Sequence, residues 1–257
     1  MVLRLLEALG AWVIGRLEDF GTIVLLYGST LRQLVKGRLR WKSIIAQMSH
    51  LGVDSLTIVS LTMLFTGIVI TLQTAAKFIE FGAQSTIGGL VAVAIGRELG
   101  PVLVGVVCAG RVGAAITAEI ATMKVTEQID ALRVMAVSPE SYLIVPRMLA
   151  CMLVVPLLTV FGDVIGVVGG WATAVYYSGI SSYVFMYGIH TYVEAFDLTG
   201  GMIKAIFFGN VIAVLGCYYG LTCRAGAEGV GDATTKTVVT SIIVIFILNA
   251  LLTFILF

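Results

Sequence analysis

Residues 55–76 read SLTIVSLTMLFTGIVITLQTAA, 22 residues without a charge. A helix needs roughly 20 apolar residues to cross the hydrocarbon core of a bilayer, so this stretch alone predicts a membrane span. Residues 205–223 and 237–257 are uncharged runs of the same kind, 19 and 21 residues long. Two longer apolar zones lie between them: 87–121, interrupted by Arg97, Glu98, Arg111 and Glu119, and 148–175, interrupted only by Asp163. Five spans are expected, the second and third long enough to tilt, kink or project beyond the lipid. Composition agrees. Of 257 residues, 59% are hydrophobic and 12% charged, with mean hydropathy +1.04; soluble domains run near half apolar and about a quarter charged, and one soluble core of this length could not hide so much apolar surface. The expected fold is an all-α integral membrane protein.

Several classes fall away at once. A net charge of +1 excludes the basic face of a nucleic-acid binder. Cys108, Cys151, Cys217 and Cys223 lie within or at the ends of apolar stretches. Their spacing gives neither a zinc site nor a disulfide frame, and they read as small buried hydrophobes. His50 and His190 lie near span ends without metal-ligand company. No metal, no catalytic residue and no cofactor held by this chain is expected. Arg4, Glu7 and Arg16 break the apolar run that a cleaved signal needs.

The first 50 residues differ from the rest, so the chain divides into an N-terminal region, 1–50, and a membrane domain, 51–257. The former holds seven of the sixteen Lys and Arg: Arg4, Arg16, Arg32, Lys36, Arg38, Arg40 and Lys42. Its longest apolar stretch, 20–31, is 12 residues with two glycines, too short to span. With Trp12, Tyr27 and Trp41 as amphipathic anchors it suits a helix lying in the interface; a sixth span is the alternative. Basic residues also mark the second loop (Lys124, Arg133, Arg147) and the fourth (Arg224, Lys236), whereas the third, 176–198, has Glu194 and Asp197 but no Lys or Arg. The positive-inside rule then places the N-terminus in the cytoplasm and the C-terminus on the far side.

Lipid does not drive helices together as water does, so close backbone approach matters. Gly162, Gly166 and Gly170 form overlapping GxxxG units, and Gly96–Gly100 and Gly216–Gly220 repeat the spacing. Pro101, Pro146 and Pro156 each disturb a helix, leaving carbonyls that the bundle must satisfy.

Charges at membrane depth are costly and mark function or packing. Arg97 and Glu98 are adjacent, about 100° apart on a helix, so each is expected to find a partner elsewhere or reach a polar cavity. Arg97 and Arg111, 14 residues apart, are expected to share a face, with Glu119 on a neighbouring one. Two readings stay open: structural ion pairs, or a substrate cavity with Arg97 and Glu98 at its polar end. Asp163 is expected to make a structural hydrogen bond. Gln73 either bonds another helix or touches substrate.

The second loop carries the sequence TMKVTEQIDALRVMAVSP, residues 122–139. Thr126 is placed to cap a helix starting with Glu127, with acid at the positive helix end. Ile129, Leu132, Val134 and Met135 give an apolar stripe flanked by Glu127, Asp130 and Arg133. This predicts a short amphipathic helix, either a surface connector or a docking helix for a cytoplasmic partner. The chain has no GxxxxGK[ST], so it does not itself cradle ATP.

The blocks RELGPV (97–102), AGRVGA (109–114), Ala118-Glu119, TEQIDAL (126–132), VPR (145–147) and ATT (233–235) followed by Val238-Val239 resemble the MlaE/YrbE permeases. These are membrane subunits of ABC transporters that move phospholipid between bacterial membranes and maintain lipid asymmetry; the chloroplast relative imports lipid. The similarity covers nearly the whole chain and is strongest over 96–150. It implies an interfacial helix followed by five spans in the bacterial inner membrane. It also implies a homodimer served by two ATPase subunits that bind ATP and Mg²⁺, a STAS-domain protein, and a periplasmic hexameric ring of MCE domains. Segment 126–137 looks like the coupling helix, with Thr126, Glu127, Ile129, Asp130, Leu132 and Arg133 engaging the ATPase. By the same resemblance a lipid pocket at the dimer interface has Ile70, Gln73, Phe78, Phe81, Arg97, Glu98 and Leu99 in its wall. Lys77 departs from an apolar wall and suits the pocket's mouth, near a phosphate.

Other classes compete. A permease for a sterol-like molecule or organic solvent needs the same architecture. A proton-coupled secondary transporter relaying through Arg97, Glu98 and Glu119 usually shows an internal repeat, and none is evident. A scaffold does not need the buried charges. An intramembrane enzyme lacks paired His, HExxH or reactive Ser/Lys and Asp/Asp spacing.

Overall fold

The computed structural model describes residues 2–36 and 40–257, with the backbone alone for 2–13, 16, 35 and 36. Among the described residues eight helices follow in order: α1 (Val2–Lys36), α2 (Trp41–Glu80), α3 (Gln84–Val125), α4 (Gln128–Val134), α5 (Glu140–Tyr176), α6 (Ser182–Tyr192), α7 (Ala195–Thr222) and α8 (Ala227–Leu256). No strand occurs among the described residues. Five of the helices, α2, α3, α5, α7 and α8, are long and apolar enough to cross a membrane, as expected. One end of the bundle carries the start of α2, helix α4 and the α7–α8 turn. The opposite end carries the α2–α3 turn and α6.

The spans run further than the uncharged stretches indicated. Helix α2 passes without a break through residue 50, where the N-terminal region was taken to end. Helix α7 begins ten residues before the run at 205, taking in Asp197 and Lys204, because both charges find partners inside the bundle.

The expected glycine packing is present. On α2, buried Val59, Met63, Gly67, Thr71 and Ala75 recur every fourth residue and face Gly162, Gly166 and Gly170 of α5. The backbones meet so closely that a Cβ on Gly67 would overlap the Gly166 carbonyl oxygen. Gly201 of α7 stands in the same relation to Gly96 of α3.

Three π-type turns interrupt the spans: Ile95–Leu99 and Ala109–Gly113 in α3, and Glu140–Ile144 opening α5. Pro101 and Pro146 directly follow two of them, in the first turn of the resuming α-helix, where a missing N–H is best tolerated. Each π turn accommodates an extra residue. The rotation assumed between Arg97 and Arg111 therefore fails, and they do not share a face: Arg97 turns to α7 and Arg111 to α2.

Helix α1 is not among the membrane-crossing five. It packs antiparallel to α7 through two bonds of 2.8 Å, Tyr218 donating to Asp19 and Asn210 donating to Tyr27. The bonded residues are eight apart on both helices, about 12 Å at 1.5 Å per residue. Leu17 and Leu25 are exposed apolar side chains on this helix. The side chains of Trp12, Arg4, Arg16, Lys36 and Arg38 fall outside the described residues.

Candidate functional site: a polar cluster within the bundle

The first turn of α7 makes a capping box. Asp197 Oδ2 accepts from the Glu194 N–H at 2.8 Å. Its Oδ1 accepts from Arg97 Nε, so Asp197, 1% exposed, serves a helix end and a neighbouring helix together. The Arg97 guanidinium lies 4.7 Å from the centroid of the Phe257 ring.

Seven residues on, Lys204 is fully buried. Its ammonium donates to Glu98 Oε1 at 2.7 Å, to Thr253 Oγ1 at 2.8 Å and to the Arg97 carbonyl at 3.0 Å, which uses all three of its protons. That carbonyl is available because residue 101, its usual partner one helical turn ahead, is proline and has no N–H. Glu98 Oε2 accepts from Asn249 Nδ2 at 2.9 Å. The adjacent Arg97 and Glu98 thus find opposite charges on one helix, with α8 closing the cluster. Their own side chains stay 36% and 37% exposed. Two buried anchors therefore hold two charges at the edge of the bundle.

The sequence reading placed Arg97 and Glu98 here but missed Lys204, Asn249, Thr253 and Phe257, and took Asp197 as a loop charge. One signal was available. Lys204 is the only Lys or Arg between Arg147 and Arg224, inside a helix-forming run rich in glycine. A lone cation there calls for an anion.

The other residues expected in a pocket wall differ in burial. Ile70 and Phe78 are half-buried on the core side of α2. Gln73 is exposed, and Phe81, in the α2–α3 turn, is 80% exposed. Leu99 is half-buried. Among the described side chains, no hydrogen bond or ion pair joins Gln73 to Arg97 or Glu98. Lys77 pairs with Glu80 on its own helix at 3.6 Å.

The remaining charges pair between helices. Arg111 Nη2 lies 3.3 Å from Asp54, and Glu119 accepts from Arg147 at 2.8 Å. Asp163 departs from expectation: its Oδ1 is buried without a partner. It abuts Gly100, which brings a Cα and no side-chain donor.

The connector α4 is present, with a different start. Glu127 takes the left-handed conformation, φ 59°, and occupies the N-cap without a side-chain bond. Thr126 does not cap α4. It still belongs to the end of α3, its Oγ1 donating to the Thr122 carbonyl at 2.8 Å and accepting from Gln128 at 3.0 Å. The apolar stripe divides. Ile129 is buried and Leu132 packs on the core, while Val134 and Met135 are 87% and 63% exposed. Asp130 and Arg133 pair at 3.0 Å on the outer face.

Five helices long and apolar enough to cross a membrane, packed through glycine and pinned by ion pairs, define a multi-pass membrane protein. The chain belongs to the MlaE family: residues 44–255 match its profile, described as Permease MlaE. It is 40% identical over 257 residues to a probable ABC transporter permease protein of Rickettsia typhi, covering 100% of this chain and 99% of that one. It is 36% identical over 258 residues to the intermembrane phospholipid transport system permease protein MlaE of Haemophilus influenzae, covering 100% and 99%. To the chloroplastic protein trigalactosyldiacylglycerol 1 of Arabidopsis thaliana it is 38% identical over 233 residues, 90% of this chain and 66% of that one.

Proposed function

We propose that this chain is the inner-membrane subunit of an ABC transporter that moves phospholipid between membranes. The observation that carries the proposal is its end-to-end likeness to a phospholipid transport permease. In this reading two copies enclose a lipid pocket, with Ile70, Gln73, Phe78 and Phe81 on α2 and its turn as the apolar wall and Arg97, Glu98 and Leu99 at the polar end. The N-terminus and α4 face the cytoplasm. ATPase subunits that bind ATP and Mg²⁺, with a STAS-domain protein, dock there, and an MCE-domain ring continues the path on the periplasmic side.

The physical task is desolvation. Each buried CH₂ of a lipid tail is worth about 0.8 kcal/mol, so an unaided tail does not leave the bilayer at a useful rate. An enclosed apolar route removes that barrier. Closure of the ATPase pair pushes on α4, which passes the displacement to α3 and narrows the pocket, switching lipid affinity between two states.

The geometry of α4 sharpens the coupling test. Ile129 and Leu132 attach the connector to the bundle, while Val134 and Met135 stand free to enter a partner. Val134→Asp with Met135→Asp, or charge reversal at Glu127 and Asp130, should abolish ATP-driven lipid transfer between vesicles by about tenfold or more while the permease still folds and elutes normally. Undiminished transfer by both variants would remove α4 from the coupling path. Transfer of sterol rather than phospholipid by the intact complex would redirect the substrate assignment.

A further inference from the structure

A cleft of about 530 Å³ runs between α1, α7 and α8. Along α7 it extends from Tyr219 to Phe207, twelve residues or about 18 Å at 1.5 Å per residue. That is close to one leaflet, half of a hydrocarbon core roughly 30 Å thick. Its walls are apolar, formed by Phe20 and Ile23 of α1, Val211 and Leu215 of α7 and Val244 of α8. Asn210 lines it too. The Asn210 amide nitrogen is spent on Tyr27, but its Oδ1 is buried with no partner.

At the Tyr219 end the cleft meets a second cavity of about 360 Å³, sharing Asp19 and Tyr219 with it. This one is lined by Arg224, Asp232 and Lys236 at the α7–α8 turn, all solvent-exposed. An apolar slot one leaflet deep therefore opens onto two cations and two carboxylates. That is the complement of a zwitterionic phospholipid: tail in the slot, phosphate at Arg224 and Lys236, ammonium toward Asp232. A partner's transmembrane helix fits less well, because it must continue through the second leaflet and brings no phosphate for the cations.

We propose that this cleft holds one zwitterionic phospholipid from the leaflet containing the α7–α8 turn, at a site separate from the wall on α2 and α3. The lipid fills the gap beneath α1 and fastens that helix to α7 and α8. The site needs neither the transport reading nor its partners.

Native mass spectrometry of the full-length protein, purified in mild detergent and offered phosphatidylethanolamine and phosphatidylglycerol, tests this. Wild type should retain phosphatidylethanolamine in preference. Val211→Trp and Val244→Trp, filling the slot from opposite walls, should each lower retention about tenfold. Arg224→Glu with Lys236→Glu should lower retention of both lipids, whereas Asp232→Asn should erase the preference between headgroups. If one tryptophan variant misfolds, the other decides. Equal retention by the folded tryptophan variants overturns the proposal. So does loss confined to Gln73→Trp, which would assign the lipid to the α2 wall. Displacement of the signal by inorganic phosphate alone would reduce the site to an anion pocket. A benzophenone side chain at position 244 that captures a polypeptide and no lipid would assign the cleft to a protein helix.

Discussion

Glu98→Ala will destabilise the bundle by about 3 kcal/mol, the low end of the cost of removing one partner of a buried ion pair, because Glu98 itself is 37% exposed and partly screened. The reason lies in Lys204, which is fully buried. Its other two contacts are a carbonyl and a hydroxyl, and neither balances its charge. Thermal unfolding in detergent reads the effect. Lys204→Met combined with Glu98→Gln should recover most of the loss, because replacing both ions of a buried pair is often neutral or stabilising. A double variant no more stable than Glu98→Ala would show that the pair is not what holds α3 to α7 and α8. This bears on function as well. Lost transport in Glu98→Ala does not distinguish a lipid contact from a collapsed cluster. Transport by the restored double variant does: if it transports normally, Glu98 is structural and leaves the proposed pocket.

Gly67→Ala should be nearly as damaging. The added methyl meets the backbone oxygen of Gly166, and a backbone cannot turn aside as a side chain can. Helices α2 and α5 must then separate along their whole seam, at a cost of about 1–3 kcal/mol or more for overpacking. Gly110→Ala provides the contrast: nothing lies within 4 Å of a Cβ there, so the change should fall within about 0.5 kcal/mol. Equal melting temperatures for the two variants would contradict the helix contact described.

The contrast between these residues explains what could be read from sequence. Span number followed from apolar length, and the Gly162–Gly166–Gly170 spacing announced a close helix contact before its partner was known. Arg97 and Glu98 announced themselves by their cost in lipid. Their partners did not. Lys204 was treated as the edge of an uncharged run, although a charge neutralised by a distant carboxylate does not end a helix. The π turns were also invisible, since no residue type demands them, and they misdirected the face assigned to Arg111. Thr126 has the chemistry of a cap, but the left-handed backbone at Glu127 put the helix start one residue later. Asn210 and the cleft beside it depend on how α1 packs, which no local pattern encodes.

The central claim is that this permease is one part of an ATP-driven lipid conduit, gripped through α4. The most direct measurement is mass spectrometry of the complex extracted in mild detergent, together with lipid transfer from vesicles loaded with it. The account predicts two copies of the chain with an ATPase subunit and bound phospholipid, and transfer that requires ATP hydrolysis. A lone protomer that transfers lipid without any ATPase would contradict it.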